Sequence, residues 1–136
     1  MPRRPPPGEP LWVSRLVLDA VHLDQLREHG GLPGLRDENA LEAALARPRQ
    51  RRHYEPRSDL ATLAAAYGWG LVTSHPYRDG NKRTAFLTMV VFAGLNGLDL
   101  EATQEDVVTT MLAAAAGQLT EGQLADWVRA RLRTAG

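Results

Sequence analysis

Apolar positions along this chain recur at the three- and four-residue spacing of a helix, and almost no segment alternates with the two-residue period of a strand. Polar cap residues and glycine or proline stops divide the pattern into about six segments. The predicted helices begin at or just after Ser14, Asp37, Ser58 or Asp59, Asn81 or Lys82, Thr103 and Thr120. The first four are expected to end near Glu28, before Pro48, near Ser74 and near Leu95. The predicted core stripe of the first helix consists of Leu16, Val17, Ala20, Leu23 and Leu26.

The segment 82–95 is apolar enough to form a buried helix. Small residues in the preceding segment, among them Ala61, Ala64, Ala65, Gly68 and Gly70, predict close packing between helices. The fold class predicted from this pattern is all-α, a compact bundle of about six helices around the central apolar helix 82–95.

Length and composition favour a single domain. With 136 residues, 43% of them hydrophobic, the chain is expected to form one compact domain over residues 12–136. Residues 1–11, which begin MPRRPPPGEP, are predicted to form a disordered Pro-rich tail. That tail lacks the apolar stretch of a secretory signal, and no run of 18 apolar residues follows, so we expect a cytoplasmic protein without a membrane span.

Cysteine count and charge exclude further classes. The absence of cysteine rules out disulfides and thiol catalysis. A formal net charge of zero gives no overall electrostatic support for direct nucleic-acid binding, which is therefore not expected.

The run 75–85 (HPYRDGNKRTA) separates two apolar helical patterns and concentrates polar chemistry in one loop. Pro76 disfavours helix in the residue before it, and residues 79–80 (DG) are a turn signal, so the next helix should start just after them. The first backbone N–H groups of that helix are free, and Lys82 and Arg83 lie beside them. Free N–H groups and cations together are typical of a phosphate-binding site.

Each polar residue of this run has a predicted chemical role. His75 can act as a general base near neutral pH. Asp79 offers a carboxylate oxygen to Mg²⁺, which proteins bind through one or two carboxylates together with substrate phosphates. The predicted phosphate- and nucleotide-binding residues are Gly80, Asn81, Lys82 and Arg83, and holding the loop is an alternative role for Asn81.

A purely structural loop is the alternative interpretation. A lone histidine after a helix is usually a cap or a surface residue, and cations at a helix start are usually solvated. Cations at a helix N-terminus nevertheless oppose the helix dipole unless an anion binds there. This mismatch favours the functional interpretation of His75, Lys82 and Arg83. The isolated His22 and His29 are expected to have solvent or capping roles.

At these positions the chain resembles the Fic/Doc family, whose signature is commonly written H-x-F-x-[DE]-G-N-x-x-R. The matching residues are His75, Asp79, Gly80, Asn81 and, in the commoner tighter spacing, Arg83. Tyr77 stands where Phe is usual. Lys82 and Phe86 stand where the AMP-transferring Fic branch has a glycine and a second arginine, so both resemble the death-on-curing (Doc) branch. Gly80 is nearer the Fic form.

Residues 29–48 (HGGLPGLRDENALEAALARP) are similar to the N-terminal segment of death-on-curing proteins, so the resemblance covers roughly residues 12–134. It implies the Fic/Doc fold, ATP as co-substrate and Mg²⁺. It also implies a flap that aligns the target peptide, for which the arginine-rich connection 48–57 is the candidate. Its candidate target contacts are Arg52, His53 and Tyr54, and its backbone could pair with an extended target segment. The alternative is a solvated basic loop.

Three functions remain open. The favoured one is a Doc-type toxin kinase that moves the γ-phosphate of ATP onto a Ser or Thr hydroxyl of a translation-factor target, with His75 as the base. The second is a Fic-type adenylyltransferase, in which the α-phosphate is attacked. The third is a non-catalytic interaction module. Lys82 favours the first over the second, and the intact motif argues against the third.

The resemblance also concerns regulation. Many Fic proteins carry an inhibitory motif, [ST]-x-x-x-E-[GN]. Glu38 and Glu121 precede Asn and Gly as the motif requires, but Gly34 and Gly117 stand four positions before them, so neither site fits. Control is therefore expected from a separate antitoxin polypeptide supplied in trans.

Overall fold

The computed structural model of this protein describes residues 8–135, so residues 1–7 of the predicted tail lie outside the described residues. Within that range the chain forms six α-helices and two three-residue strands. In chain order they are α1 (Arg15–His29), α2 (Glu38–Tyr54), α3 (Leu60–Ser74), α4 (Asn81–Leu95), β1 (Leu98–Leu100), α5 (Gln104–Ala115), α6 (Glu121–Arg129) and β2 (Leu132–Thr134). The predicted all-α bundle is confirmed. None of these helices is long and apolar enough to cross a membrane, as far as residues 8–135 are concerned.

Helix starts follow the predicted cap residues, because a side-chain oxygen satisfies a backbone N–H group that the first turn leaves free. The cap oxygen accepts a hydrogen bond from the N–H three residues on at Ser14, Asp37, Asp59, Thr103 and Thr120. The last of these forms the predicted capping box with Gln123. Only α4, among the helices described, has a glycine N-cap and no side-chain cap.

The predicted core stripe of α1 is wrong, because the helix turns a different face toward the protein. Leu16 is 81% exposed and Leu23 is 46% exposed. The buried residues of α1 are Leu18, His22 and Gln25, which also follow helical spacing. Two of these three side chains are polar, so hydrophobicity alone points to the wrong face.

The most deeply buried helix is α3, which packs against α2, α4, α5 and α6. Its small residues permit close approach as predicted. A Cβ atom at Gly68 would come within 2.5 Å of the Met89 sulfur on α4, and a Cβ atom at Gly70 would lie 3.3 Å from Ala44 of α2. The predicted centre, α4, packs against α3 on one side and against α1, α5 and β1 elsewhere. The core therefore centres on α3 rather than on α4.

The predicted end of the second helix before Pro48 is also wrong. Pro48 is buried inside α2, which continues to Tyr54. An internal proline removes one helical hydrogen bond and crowds the preceding turn, at a cost of about 3 kcal/mol. Burial of Pro48 and the ion pairs that Arg47 and Arg51, on either side of it, form with Glu121 of α6 act against this cost.

The two strands are a feature that the sequence pattern does not predict. They pair antiparallel, with Leu98 opposite Thr134 and Leu100 opposite Leu132. Three residues are too few to show the alternation that identifies a strand.

Residues 8–11 of the predicted tail are described, and they contact the helical domain. Leu11 donates its N–H to the Asn96 side chain at 2.8 Å and accepts from the same side chain at 3.0 Å. Arg52 donates to the carbonyl of Gly8 at 3.2 Å. The boundary between tail and domain at residue 12 stays a prediction.

Candidate active site

The loop between α3 and α4 begins at His75, which ends α3 in a left-handed backbone conformation with φ of 47°. Its backbone is held on both sides. The N–H of His75 donates to Leu71, and its carbonyl accepts a 2.7 Å hydrogen bond from Arg36. The second guanidinium nitrogen of Arg36 donates to the Ser74 carbonyl at 2.6 Å. The backbone of the predicted base is therefore fixed, whereas its side chain is exposed to solvent.

The N-terminus of α4 has the predicted arrangement for binding an anion. Gly80 is the N-cap with φ of 78°, a left-handed conformation that glycine adopts without strain. No side chain caps the helix, so the positive end of the dipole faces outward beside the exposed Lys82 and Arg83.

In this structure Asn81 holds the loop, which is one of its two predicted roles. Its side-chain oxygen accepts from the N–H of Tyr77 at 3.0 Å, and its amide donates to the carbonyl of Tyr77 at 2.9 Å. Because both ends of the carboxamide are engaged, Asn81 holds the loop in a closed turn before α4.

Asp79 is anchored through one of its two carboxylate oxygens. One carboxylate oxygen accepts the N–H of Leu32 at 2.7 Å, and the side chain is half-buried. Gly31 makes this approach possible, since a Cβ atom there would lie 3.1 Å from the Asp79 Cβ. The second oxygen is available as a hard ligand. A single carboxylate oxygen is the type of ligand that Mg²⁺ takes together with substrate phosphates. Within residues 8–135 no cluster of three metal-ligating side chains occurs.

The segment 30–37 between α1 and α2 forms a second layer behind the loop. The N–H groups of Arg36 and Asp37 both donate to the Pro76 carbonyl, at 2.8 and 3.0 Å. Arg78 donates its N–H to the Gly34 carbonyl at 3.1 Å, and a β-bridge links Leu35 to Tyr77. This segment, rather than the one after Pro48, lies against the motif loop.

His22 of α1 is a site residue that the sequence analysis misses. It is 5% exposed, so the expected solvent or capping role is wrong. Its Nε2 donates to the backbone carbonyl of Asp79 at 2.8 Å, and its ring stacks on Tyr77 with centroids 3.6 Å apart. Burial and a 2.9 Å hydrogen bond to Asp19 raise the pKa of Tyr77 well above its usual value, so its hydroxyl remains a donor. Through these contacts α1 positions the loop that carries Asp79.

Replacing His22 with phenylalanine is expected to keep the stack on Tyr77 but to leave the Asp79 carbonyl without its donor. We expect the free energy of unfolding to fall by about 1–3 kcal/mol, the cost of one unsatisfied buried group. Denaturant unfolding measures this change, with His53→Phe as the control because His53 is exposed on α2. A His22→Phe protein as stable as the control would show that this hydrogen bond does not hold the loop.

Two cavities meet at Arg83. The first, which we call the Lys82 cavity, has a volume of about 320 Å³ and is lined by residues 80–83 of α4 and by Met111 and Leu112 of α5. The second, the Gln25 cavity, has a volume of about 360 Å³ and lies between α1, α4 and α5. Both are lined by Arg83, Val107 and Val108. The two cavities therefore form a groove beside the helix N-terminus, large enough for a small organic anion.

The structure does not bring Arg52, His53 and Tyr54 to this site. These residues form the last turn of α2, so their backbone groups are engaged within a helix and the proposed strand addition is wrong. Asp37, at the other end of α2, contacts Pro76 of the motif loop. A helix of 17 residues is about 25 Å long, so the three side chains lie at the far end of the bundle from His75.

The arginines of this region are engaged in structural contacts. Arg47 and Arg51 pair with Glu121, and Arg49 lies 5.4 Å from the centre of the Trp12 ring. The expectation of a loop, whether a target flap or a solvated basic connection, is therefore corrected for residues 48–54. These side chains fasten α2 to its neighbours.

Comparison with known proteins agrees with this site. The Fic/DOC family pattern matches residues 12–93, which include α1 to α3, the whole motif loop and all but the last two residues of α4. Over 117 residues the chain is 32% identical to "Protein kinase doc" of Escherichia phage P1, a match that covers 86% of this chain and 92% of that protein. On the basis of the motif, the fold and these matches, the chain belongs to the Fic/Doc family.

Proposed function

We propose that this protein is a Doc-type toxin that transfers the γ-phosphate of ATP to a Ser or Thr hydroxyl of a protein target. Two observations support a nucleotide-dependent transferase: the uncapped start of α4 beside the exposed Lys82 and Arg83, and the exposed His75 in the preceding loop. The similarity to a protein whose name is "Protein kinase doc" supports phosphate as the group transferred.

The position of Phe86 is the observation that carries the choice between phosphate and AMP transfer. Its ring packs edge-to-face on Trp127 with centroids 6.3 Å apart, so an aromatic side chain occupies the position of the second arginine of the AMP-transferring branch. Lys82 meanwhile adds a cation on the first turn of α4, where that branch has a glycine. The chain thus lacks the second phosphate-binding arginine and has an additional cation, Lys82, one turn earlier on α4. We therefore propose that the γ-phosphate, rather than the α-phosphate, faces His75.

In the proposed reaction His75 takes the proton of the target hydroxyl as its oxygen forms a bond to the γ-phosphorus. The bond between that phosphorus and the bridging oxygen breaks, and ADP leaves with the electron pair. Lys82, Arg83 and the free N–H groups of α4 neutralise charge on the phosphates. Asp79 would hold Mg²⁺, which supplies further charge neutralisation on the same phosphates.

We further propose a translation factor as the target and an antitoxin polypeptide as the regulator, supplied in trans. The two glutamates nearest to an inhibitory motif are both engaged in ion pairs, Glu38 with Arg15 and Glu121 with Arg47 and Arg51. In this structure both carboxylates pair with arginines and not with groups at the start of α4. Half-exposed Val108 and Leu112 beside that groove offer an apolar surface on which a helix or tail of the antitoxin could bind.

Labelled ATP tests the reaction. The purified protein, incubated with bacterial lysate, should transfer label from γ-labelled ATP to a protein and none from α-labelled ATP. Its induced expression should arrest bacterial growth, and His75→Asn should abolish both effects. Transfer of label from the α-position alone would establish adenylylation instead, and transfer from neither would favour a non-catalytic module.

A further inference from the structure

Gln25 of α1 is a buried polar side chain without a partner in the protein. It is 6% exposed, and no group among residues 8–135 forms a hydrogen bond with its carboxamide. Its amide atoms are nevertheless not fully enclosed in the core. The carboxamide therefore reaches the surface of the Gln25 cavity, which it lines. A protein group in this position is satisfied only by solvent or by a ligand.

The walls of this cavity suit a flat ring. Phe86 and Leu87 of α4 lie on one side, and Val107 and Val108 of α5 on the other. Glu28, His29 and Gln104 also line the cavity, but among its polar residues only Gln25 is buried. Apolar walls with a few converging polar groups are typical of sites that bind and orient a small molecule. Arg83 also lines the cavity, and through it the cavity adjoins the anion-binding start of α4. The phosphates of a nucleotide and its base can thus occupy neighbouring parts of one groove.

From this geometry we infer that the Gln25 cavity holds the base of the nucleotide and that Gln25 selects adenine. A glutamine carboxamide presents one donor and one acceptor side by side, which complement N7 and the N6 amino group of adenine. Guanine presents two acceptors, O6 and N7, at the same edge and would leave the carbonyl of Gln25 unmatched. The inference rests on the proposed use of ATP, and it adds the recognition of the base.

Calorimetric titration of the full chain separates base recognition from phosphate binding. The probes are ATP, GTP and inorganic tripolyphosphate, each with Mg²⁺. Gln25→Met, a change of similar volume, should weaken ATP binding by about tenfold, within the range for one bidentate amide–adenine pair, and remove the preference over GTP. Binding of tripolyphosphate should not change. Gln50→Met is the matched control, because Gln50 is exposed on α2 away from both cavities.

A second measurement does not depend on the folding of a variant. Wild-type protein should bind N6,N6-dimethyl-ATP about tenfold more weakly than ATP. The two methyl groups replace the N6 hydrogens, so N6 can no longer donate to the side-chain oxygen of Gln25. Equal affinity for ATP, GTP and the dimethylated nucleotide, with tripolyphosphate still bound, would overturn the assignment of Gln25 and leave the proposed function standing. Failure of wild type to bind any of these probes would overturn both.

Discussion

Replacing His75 with asparagine is expected to lower the rate of phosphate transfer by a factor of about 10²–10⁴, the usual contribution of a general base. The side chain is exposed at the end of α3 and is free to reach a target hydroxyl. Asparagine suits this position because it tolerates the left-handed conformation of residue 75 and has no basic group near neutral pH. The measurement is the rate of label transfer from γ-labelled ATP at saturating ATP.

His75→Ala serves as a second variant, since it removes the base but also adds backbone strain at φ of 47°. Both variants should bind Mg²⁺-ATP with the affinity of wild type, because the proposed phosphate-binding groups lie at the start of α4 and not on His75. Wild-type transfer rates in a well-folded His75→Asn protein would remove His75 from the role of base.

Local signals in the sequence predict most of the fold. Ser14, Asp37, Asp59 and Thr103 cap helices because their side chains bond backbone groups three residues away, an interaction contained in a short segment. Pro48 is the counterexample. Whether a helix continues through a proline depends on contacts with α6, which lies more than 70 residues further along the chain.

The candidate site likewise contains residues that a local sequence signal predicts and residues that depend on distant contacts. His75 and Asp79 were predictable because the motif places a base, a carboxylate and a glycine turn within one loop. His22 and Arg36 were not, because their hydrogen-bond acceptors lie 57 and 39 residues away. The helical spacing of His22 and Gln25 is a signal in retrospect: two polar residues on the inward face of a helix indicate a site rather than a core.

The flap residues show the limit of a resemblance. The resemblance predicts that a segment with Arg52, His53 and Tyr54 aligns the target peptide. Helix α2 places these three residues far from the motif loop. The segment that does contact the loop, 30–37, is rich in glycine and pairs with Tyr77 through a β-bridge. Contact with the motif loop thus depends on the segment before α2 and not on the last turn of α2.

Asp79→Asn is expected to weaken the binding of ATP in the presence of Mg²⁺ by at least about tenfold, since even the loss of an outer-shell partner of a metal ligand costs that much. Asparagine is the informative replacement because its side-chain oxygen can still accept the N–H of Leu32, which holds the wild-type carboxylate at 2.7 Å. The loop should then keep its shape while the charge that attracts the cation is gone.

Titration without Mg²⁺ separates the effect of Asp79 on metal binding from its effect on the shape of the loop. There the Asp79→Asn protein should bind ATP at least as tightly as wild type, because a carboxylate near the phosphates repels them when no cation lies between. Asp79→Ala, which also removes the acceptor for Leu32, should weaken binding under both conditions and lower the melting temperature. If wild type and Asp79→Asn bind ATP equally well in Mg²⁺, Asp79 is a structural anchor of the segment 30–37, and the cation must be held by the phosphates alone.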